Sequence, residues 1–374
     1  MRINYAQAVF GKEEIQAVVE SLENTFLSVG PNSEKFEQEI AKIFGKKYAI
    51  FVNSGSSANL LVSQLIPKGE VITPALTFAT TLTPLLQCGL KPVFIDSEIQ
   101  TFLPTIQSIV KAFTEKTTAV MVPDLLGNKM DSKKLREVCD YWGVIYIQDS
   151  CDTISSGANG HFVTTSFYGS HIITAMGGGG MVMSDDKEAI DRIRTMRDWG
   201  RGVDVSEVIS ERYKYDIDGI PYDGKFVYTE RGFNMRPVDA QAAFGLEQLK
   251  RLDSFASLRK GHFEQLYEFF AQFPYFNLPQ SQHNPNWLAF PLTLNNAPFT
   301  RFELVDWFEK HDIQTRPIFS GNVTSHPAFK EFQGYFPNAD YVMEHGILLG
   351  IHQGMDNDQI DYVKKTFKNF IDGK

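Results

Sequence analysis

His171 ends the run Ser166-Phe167-Tyr168-Gly169-Ser170-His171. An imidazole is the side chain best suited to accept and donate a proton near neutral pH. Ile172 to Gly180 follow (IITAMGGGG), with glycines that permit backbone shapes other residues resist. A glycine-rich hairpin without chemistry accounts for that run equally well. Earlier in the chain, Asn53-Ser54-Gly55-Ser56-Ser57-Ala58-Asn59 joins a strand-like run to a helical one. Small residues there let backbone N–H groups and hydroxyls approach a phosphate at a helix N-terminus. A polar helix cap uses the same residue types. Asp149 ends the run VIYIQD. A carboxylate there can pair with a pyridinium nitrogen and keep it protonated, or it can act as a helix cap or loop acid. Phe78, in the loop after Val71–Pro74, can stack on a planar ring or join the core.

These residues need elements to hold them. Tyr48–Asn53, Val71–Pro74, Pro92–Asp96, Ala119–Val122 and Val144–Gln148 read as strands. Between them lie amphipathic segments such as Asn59–Leu65 and Ser132–Tyr141. Mostly apolar strands separated by helices predict an α/β domain with a parallel sheet covered on both faces. In such folds a ligand sits at the carboxyl ends of the strands. A long helical pattern from Val238 through the 260s then leads to a strand at Leu288–Leu294 and helices at Arg301–His311 and Asp358–Asn369. The expected organisation is a large domain over 1–245 and a small C-terminal α+β domain over 246–374. The stretch Asp204–Phe226 has no clear period and reads as a long functional loop.

Bulk properties narrow the function classes. The 374 residues exceed one simple core. The net charge of −9 argues against nucleic acid and anionic membranes as partners. No stretch is long and apolar enough to span a bilayer, and no signal peptide is expected at the N-terminus. Cys88, Cys139 and Cys151 are widely spaced, without a CxxC pair. Neither a disulfide framework nor a metal site is expected, and a cytoplasmic location fits.

The order of these segments resembles the DegT/DnrJ/EryC1/StrS family of fold-type-I sugar aminotransferases. The resemblance rests on FLSVGP (26–31), NSGSSANLL (53–61), the strand ending in Asp149, SFYGSH (166–171), GFNMRPVDAQAAFGLEQL (232–249) and TRPIFSGN (315–322). It implies an aspartate aminotransferase-like fold and a pyridoxal 5'-phosphate (PLP) or pyridoxamine 5'-phosphate (PMP) cofactor. The family carries a Schiff-base lysine where this chain has His171, and no lysine occurs between Lys134 and Lys187. That replacement, with LLGN (125–128) and GIHQG (350–354), is similar to the sugar 3-dehydratases.

Within that subgroup the resemblance implies PMP held without a covalent tether. Its amine condenses with the C4 ketone of a nucleotide-linked 4-keto-6-deoxyhexose, His171 takes a methylene proton, and the C3 hydroxyl departs. L-glutamate then restores PMP. The implied cofactor contacts are Gly55, Ser56 and Ser166 on the phosphate, Asn234 reaching it across a homodimer interface, Phe78 on the ring, Asp149 on the ring nitrogen and Asp152 on the hydroxyl side. Arg236 can bind a carboxylate or phosphate through its planar fork, or serve only as a structural arginine beside Pro237.

Two departures matter. Gly177 stands where the family has an acidic residue. RDWGRG (197–202) and the loop after it are similar to an iron–sulfur subgroup, yet only Cys151 sits at a matching position. A cluster needs four thiolates, so none is expected. Two other readings fit the same residues: a sugar 4-aminotransferase and a non-catalytic paralogue that binds a nucleotide sugar. The base stays open among GDP, CDP and dTDP.

Overall fold

The computed structural model describes residues 1–25, 27–202, 208–281, 283 and 285–373. Phe26 of the FLSVGP match and residues 204–207 of the expected loop lie outside the described residues.

Strands β1 (Tyr48–Val52), β2 (Glu70–Pro74), β3 (Lys91–Ile95), β4 (Thr117–Pro123), β5 (Ile145–Asp149), β6 (Phe162–Ser166) and β7 (Gly180–Ser184) form one seven-stranded sheet. Its order is β1-β7-β6-β5-β4-β2-β3. The alternation of side chains along β1 divides the core. Ile50 and Val52 pack with Leu61 and Val62 on one face, and Ala49 and Phe51 pack with Phe36 and Phe44 on the other.

Strands β2 to β6 pair in parallel with their neighbours, as the alternating pattern predicts. Strand β7 departs from that expectation, because it runs antiparallel to both β1 and β6. The segment between β6 and β7 contains no helix. It therefore cannot make the long crossover that a parallel connection requires. This return loop carries His171.

The described part of the expected loop, residues 208–226, is more ordered than its lack of period suggests. It contains a short helix, Ile209–Arg212, and a hairpin of β8 (Tyr215–Ile217) and β9 (Ile220–Tyr222). Strands this short give too few residues to display alternation. The long pattern from Val238 divides into helices Asp239–Leu249 and Leu252–Phe270. At the break, Arg251 donates to Glu14 at 2.9 Å and lies over the Phe255 ring.

A second sheet, antiparallel throughout, has the order β10-β11-β13-β12. Its strands are β10 (Phe276–Asn277), β11 (Phe290–Leu294), β12 (Thr315–Arg316) and β13 (Gly346–Leu349). Helices Leu252–Phe270, Arg301–Lys310 and Asn357–Asp372 pack around a phenylalanine-rich core that includes Phe270, Phe290 and Phe367. The same core takes in Ala75, Leu76, Leu125 and Leu126 from loops of the first sheet, and Ile3, which pairs with Ile313. The second sheet thus packs directly against the loops that follow β2 and β4. Among the described residues, no helix is long and apolar enough to cross a membrane.

Candidate active site

Strands β4, β5 and β6 end together in Pro123, Asp149 and Ser166, and the three residues line one cavity of about 300 Å³. This is the carboxyl edge at which parallel sheets place ligands. The cavity is also lined by Gly55, Ser56, Phe78, Asp152, Tyr168, His171 and Phe319. Most of the residues expected from sequence therefore converge. No lysine lines the cavity among the described residues.

The helix Gly55–Leu65 opens onto this space. Ser54 caps it, its hydroxyl accepting from the Ser57 N–H at 3.1 Å. The N–H groups of the first turn have no partner within their own helix. Gly55 allows a close approach of backbone to the cavity floor, since a Cβ there would meet Ser166 Cβ at 2.7 Å and Cys151 Sγ at 2.8 Å. Phe78 precedes the helix Ala79–Gln87 and is exposed, so its ring is not a core residue. It meets Phe319 edge-on, with centroids 6.0 Å apart.

Asp149 is buried and held from behind. Its Oδ2 accepts from Asn59 Nδ2 at 2.9 Å and from Thr81 Oγ1 at 2.8 Å. Its Oδ1 accepts from the Cys151 N–H at 3.2 Å, and a carboxylate oxygen with one such donor keeps lone-pair capacity. Asn59 is itself fixed, because its Oδ1 accepts from Thr164 Oγ1 at 2.6 Å. Sequence reasoning did not assign Asn59 or Thr81. Asn59 lies in the small-residue motif and Thr81 three residues after Phe78, so the motif signal was present without a partner to interpret it.

Asp152 accepts from the Leu126 N–H at 2.8 Å. Burial raises its pKa to about 7, and the Asp149 and Asp124 charges add to that. Asp124 lies behind the wall, bonded to Ser150 and to Gln148, with its own pKa raised by burial to about 6.

His171 is held by its N–H to the Tyr168 carbonyl at 3.0 Å. Its Nδ1 lies 3.3 Å from the Ser166 carbonyl. A carbonyl can only accept, so this contact places the proton on Nδ1 and leaves Nε2 bare. Burial pushes the imidazole down to about 4, and the Arg259 charge acts in the same direction. Above the ordinary value of 6.5 the group is neutral whether the chain is folded or unfolded, and its stability contribution is lost as pH falls from 6.5 towards about 4. We therefore expect the ring signals of His171 in the apoprotein to stay fixed from pH 8 to about pH 5 in an NMR titration. A titration centred near pH 6.5 would contradict this environment.

Gly177 adopts φ +84°, a left-handed conformation that disfavours any side chain there. Asn234 and Arg236 lie apart from the cavity lining. Asn234 is exposed and bridges to Asp198. Arg236 Nε is 3.6 Å from Asp198 Oδ1, and its guanidinium lies over the Trp199 ring.

The chain is 35% identical over 395 aligned positions to a dTDP-4-dehydro-2,6-dideoxy-D-glucose 3-dehydratase of Saccharopolyspora spinosa, covering 97% of this chain and 85% of that one. It is 30% identical to a GDP-4-keto-6-deoxy-D-mannose 3-dehydratase of Yersinia pseudotuberculosis, covering 93% of each. A crystal structure of a GDP-4-keto-6-deoxymannose 3-dehydratase with a trapped PLP-glutamate geminal diamine superposes with a TM-score of 0.86 at 28% identity, over 97% of this chain and 99% of that one. The family profile matches residues 9–368, and the chain belongs to the DegT/DnrJ/EryC1/StrS aminotransferase family.

Proposed function

We propose that the chain is a PMP-dependent nucleotide-sugar 3-dehydratase. It removes the C3 hydroxyl of a nucleotide-linked 4-keto-6-deoxyhexose and recovers PMP from L-glutamate. The observation that carries this reading is a histidine, and no lysine, facing the cavity beside Asp149.

The donor set fits the cofactor. The N-terminus at Gly55 and Ser56, with the Ser166 hydroxyl, suits a phosphate, and the free side of Asp149 suits a protonated ring nitrogen. When bound, PMP supplies the amine that joins the ketone and a ring that takes up electrons. Phe78 would stack on that ring, and Asp152 would face its hydroxyl side. His171 Nε2 accepts the proton and returns it to the departing hydroxyl, which needs no tether to the cofactor.

Asn234 reaches the phosphate of a second protomer, and Arg236 receives a carboxylate or phosphate. A homodimer is supported by exposed Ile15, Val19 and Leu22, which share one face of the helix Lys12–Glu23. We further propose a cytoplasmic location and a division at 245/246. Three cysteines cannot supply the four thiolates of an iron–sulfur cluster, so glutamate restores the cofactor.

The test mixes protein, PMP and glutamate with GDP-, CDP- and dTDP-linked 4-keto-6-deoxysugars. Mass spectrometry follows 2-oxoglutarate and the 3-deoxysugar. Both are expected with one nucleotide series. A stable 4-aminosugar would make the protein an aminotransferase, and no product with any sugar would leave a binding role.

A further inference from the structure

The GIHQG segment (350–354) packs behind the cavity wall. Gln353 is 6% exposed. Its Nε2 donates to the carbonyl of Ile172, the residue after His171, at 3.1 Å. Its Oε1 accepts from Arg259 Nη1 at 2.6 Å. Arg259 is 1% exposed, and its other bonds go to the carbonyls of Trp287, at 3.2 Å, and Leu288. Its bonded partners among the described residues are all neutral acceptors.

A buried cation answered only by neutral groups is costly to keep. Here it has a geometric consequence. A guanidinium has no acceptor, so the Gln353 oxygen must face Arg259 and its NH2 must face Ile172. The carboxamide cannot flip without losing both bonds. The His171 loop is fixed two residues later as well. The Thr174 hydroxyl donates to the Phe167 carbonyl at 2.9 Å, and the Thr174 N–H donates to Gln248 Oε1 at 3.4 Å.

A base tethered to its cofactor is aligned by that bond. An untethered imidazole is aligned only by the loop that carries it, and a misplacement of about 1 Å costs about 10²-fold in rate. We propose that Gln353, oriented by Arg259, is a positioning residue that aims His171 for proton transfer. This rests on the reading of His171 as the base.

Gln353→Glu keeps the side-chain length and the contact with Arg259, and removes the donor to Ile172. Beside the guanidinium the new carboxyl stays ionised. The expected kcat falls by about 10- to 100-fold, while KM for the sugar and PMP affinity remain near wild type and Tm falls modestly, since the Ile172 carbonyl loses its donor. In single-turnover dehydration, the isotope effect with PMP deuterated at its methylene rises. In apoprotein labelled with ¹⁵N-histidine, His171 changes from a single Nδ1–H tautomer to a mixture. Gln353→Met, which adds no charge, shows the same kinetic defect.

Wild-type kcat, isotope effect and tautomer in both variants would overturn the proposal. So would a fall in PMP affinity that tracks the loss of rate, since that marks a purely structural role. His171→Asn run alongside separates the two claims. Full activity there removes the base itself, whereas an inactive His171→Asn with a fully active Gln353→Glu removes only the positioning role.

Discussion

His171→Asn lowers sugar dehydration by about 10³-fold and leaves PMP binding nearly unchanged. The imidazole lines the cavity and offers Nε2 as the proposed base, and asparagine has no comparable base. The neighbouring groups do not replace it. Asp149 is held at Oδ2 by Asn59 and Thr81 and its Oδ1 is proposed to pair with the ring nitrogen, and Asp152 is bonded to the Leu126 N–H. Cofactor affinity survives because the proposed phosphate and ring contacts lie on Gly55, Ser56, Ser166, Phe78 and Asp149, none of them altered. Single-turnover dehydration and PMP titration by absorbance measure the two quantities separately. A variant with a tenth or more of the wild-type rate would show that another group moves the proton. His171→Lys, mixed with PLP, is expected to develop the Schiff-base absorbance that the wild type lacks. Absence of that band would place the residue away from the cofactor aldehyde.

The parts of this site that could be read in the sequence are those whose information is local. Asp149 stood out as an acid at the end of an apolar strand, Gly55 as a small residue at a strand-to-helix turn, and His171 as the wrong residue in a familiar loop. The reversal of β7 was not legible. Alternation of apolar residues specifies burial but is the same for either strand direction, and only the short, helix-free connection after β6 decides it. Asn59 and Thr81 were visible as residues but not as partners of Asp149, because that carboxylate lies 90 and 68 positions away along the chain. Gln353 presents the same difficulty at greater range. Its contact with Ile172 spans 181 positions, and its orientation depends on Arg259 from a third segment. Periodicity places a side chain on a face; it does not say which distant donor will meet it.

Asp149→Asn is expected to reduce kcat by about 10²- to 10³-fold at a smaller cost in Tm than Asp149→Ala, because it gives up only the Cys151 N–H bond and the other hydrogen bonds keep the fold. Asn59 Nδ2 and Thr81 Oγ1 both donate to the Oδ2 side of Asp149. An asparagine must keep its amide oxygen there to satisfy them, which turns its NH2 towards the cavity. A donor then meets the position of the ring nitrogen where a carboxylate had stood. The nitrogen loses the partner that keeps it protonated, and the ring loses strength as an electron sink. Asp149→Ala serves as the contrasting case. It removes the acceptor of all three donors, Asn59 Nδ2, Thr81 Oγ1 and the Cys151 N–H, and costs about 1–3 kcal/mol of stability for each one left unpaired. If Asp149→Asn kept kcat within about threefold of wild type, the ring nitrogen would not be paired with this residue. If instead Asp149→Asn lost as much stability as Asp149→Ala, the acceptor at Oδ2 would not be what Asn59 and Thr81 require. The two variants thus test the chemistry of one carboxylate oxygen and the packing of the other independently.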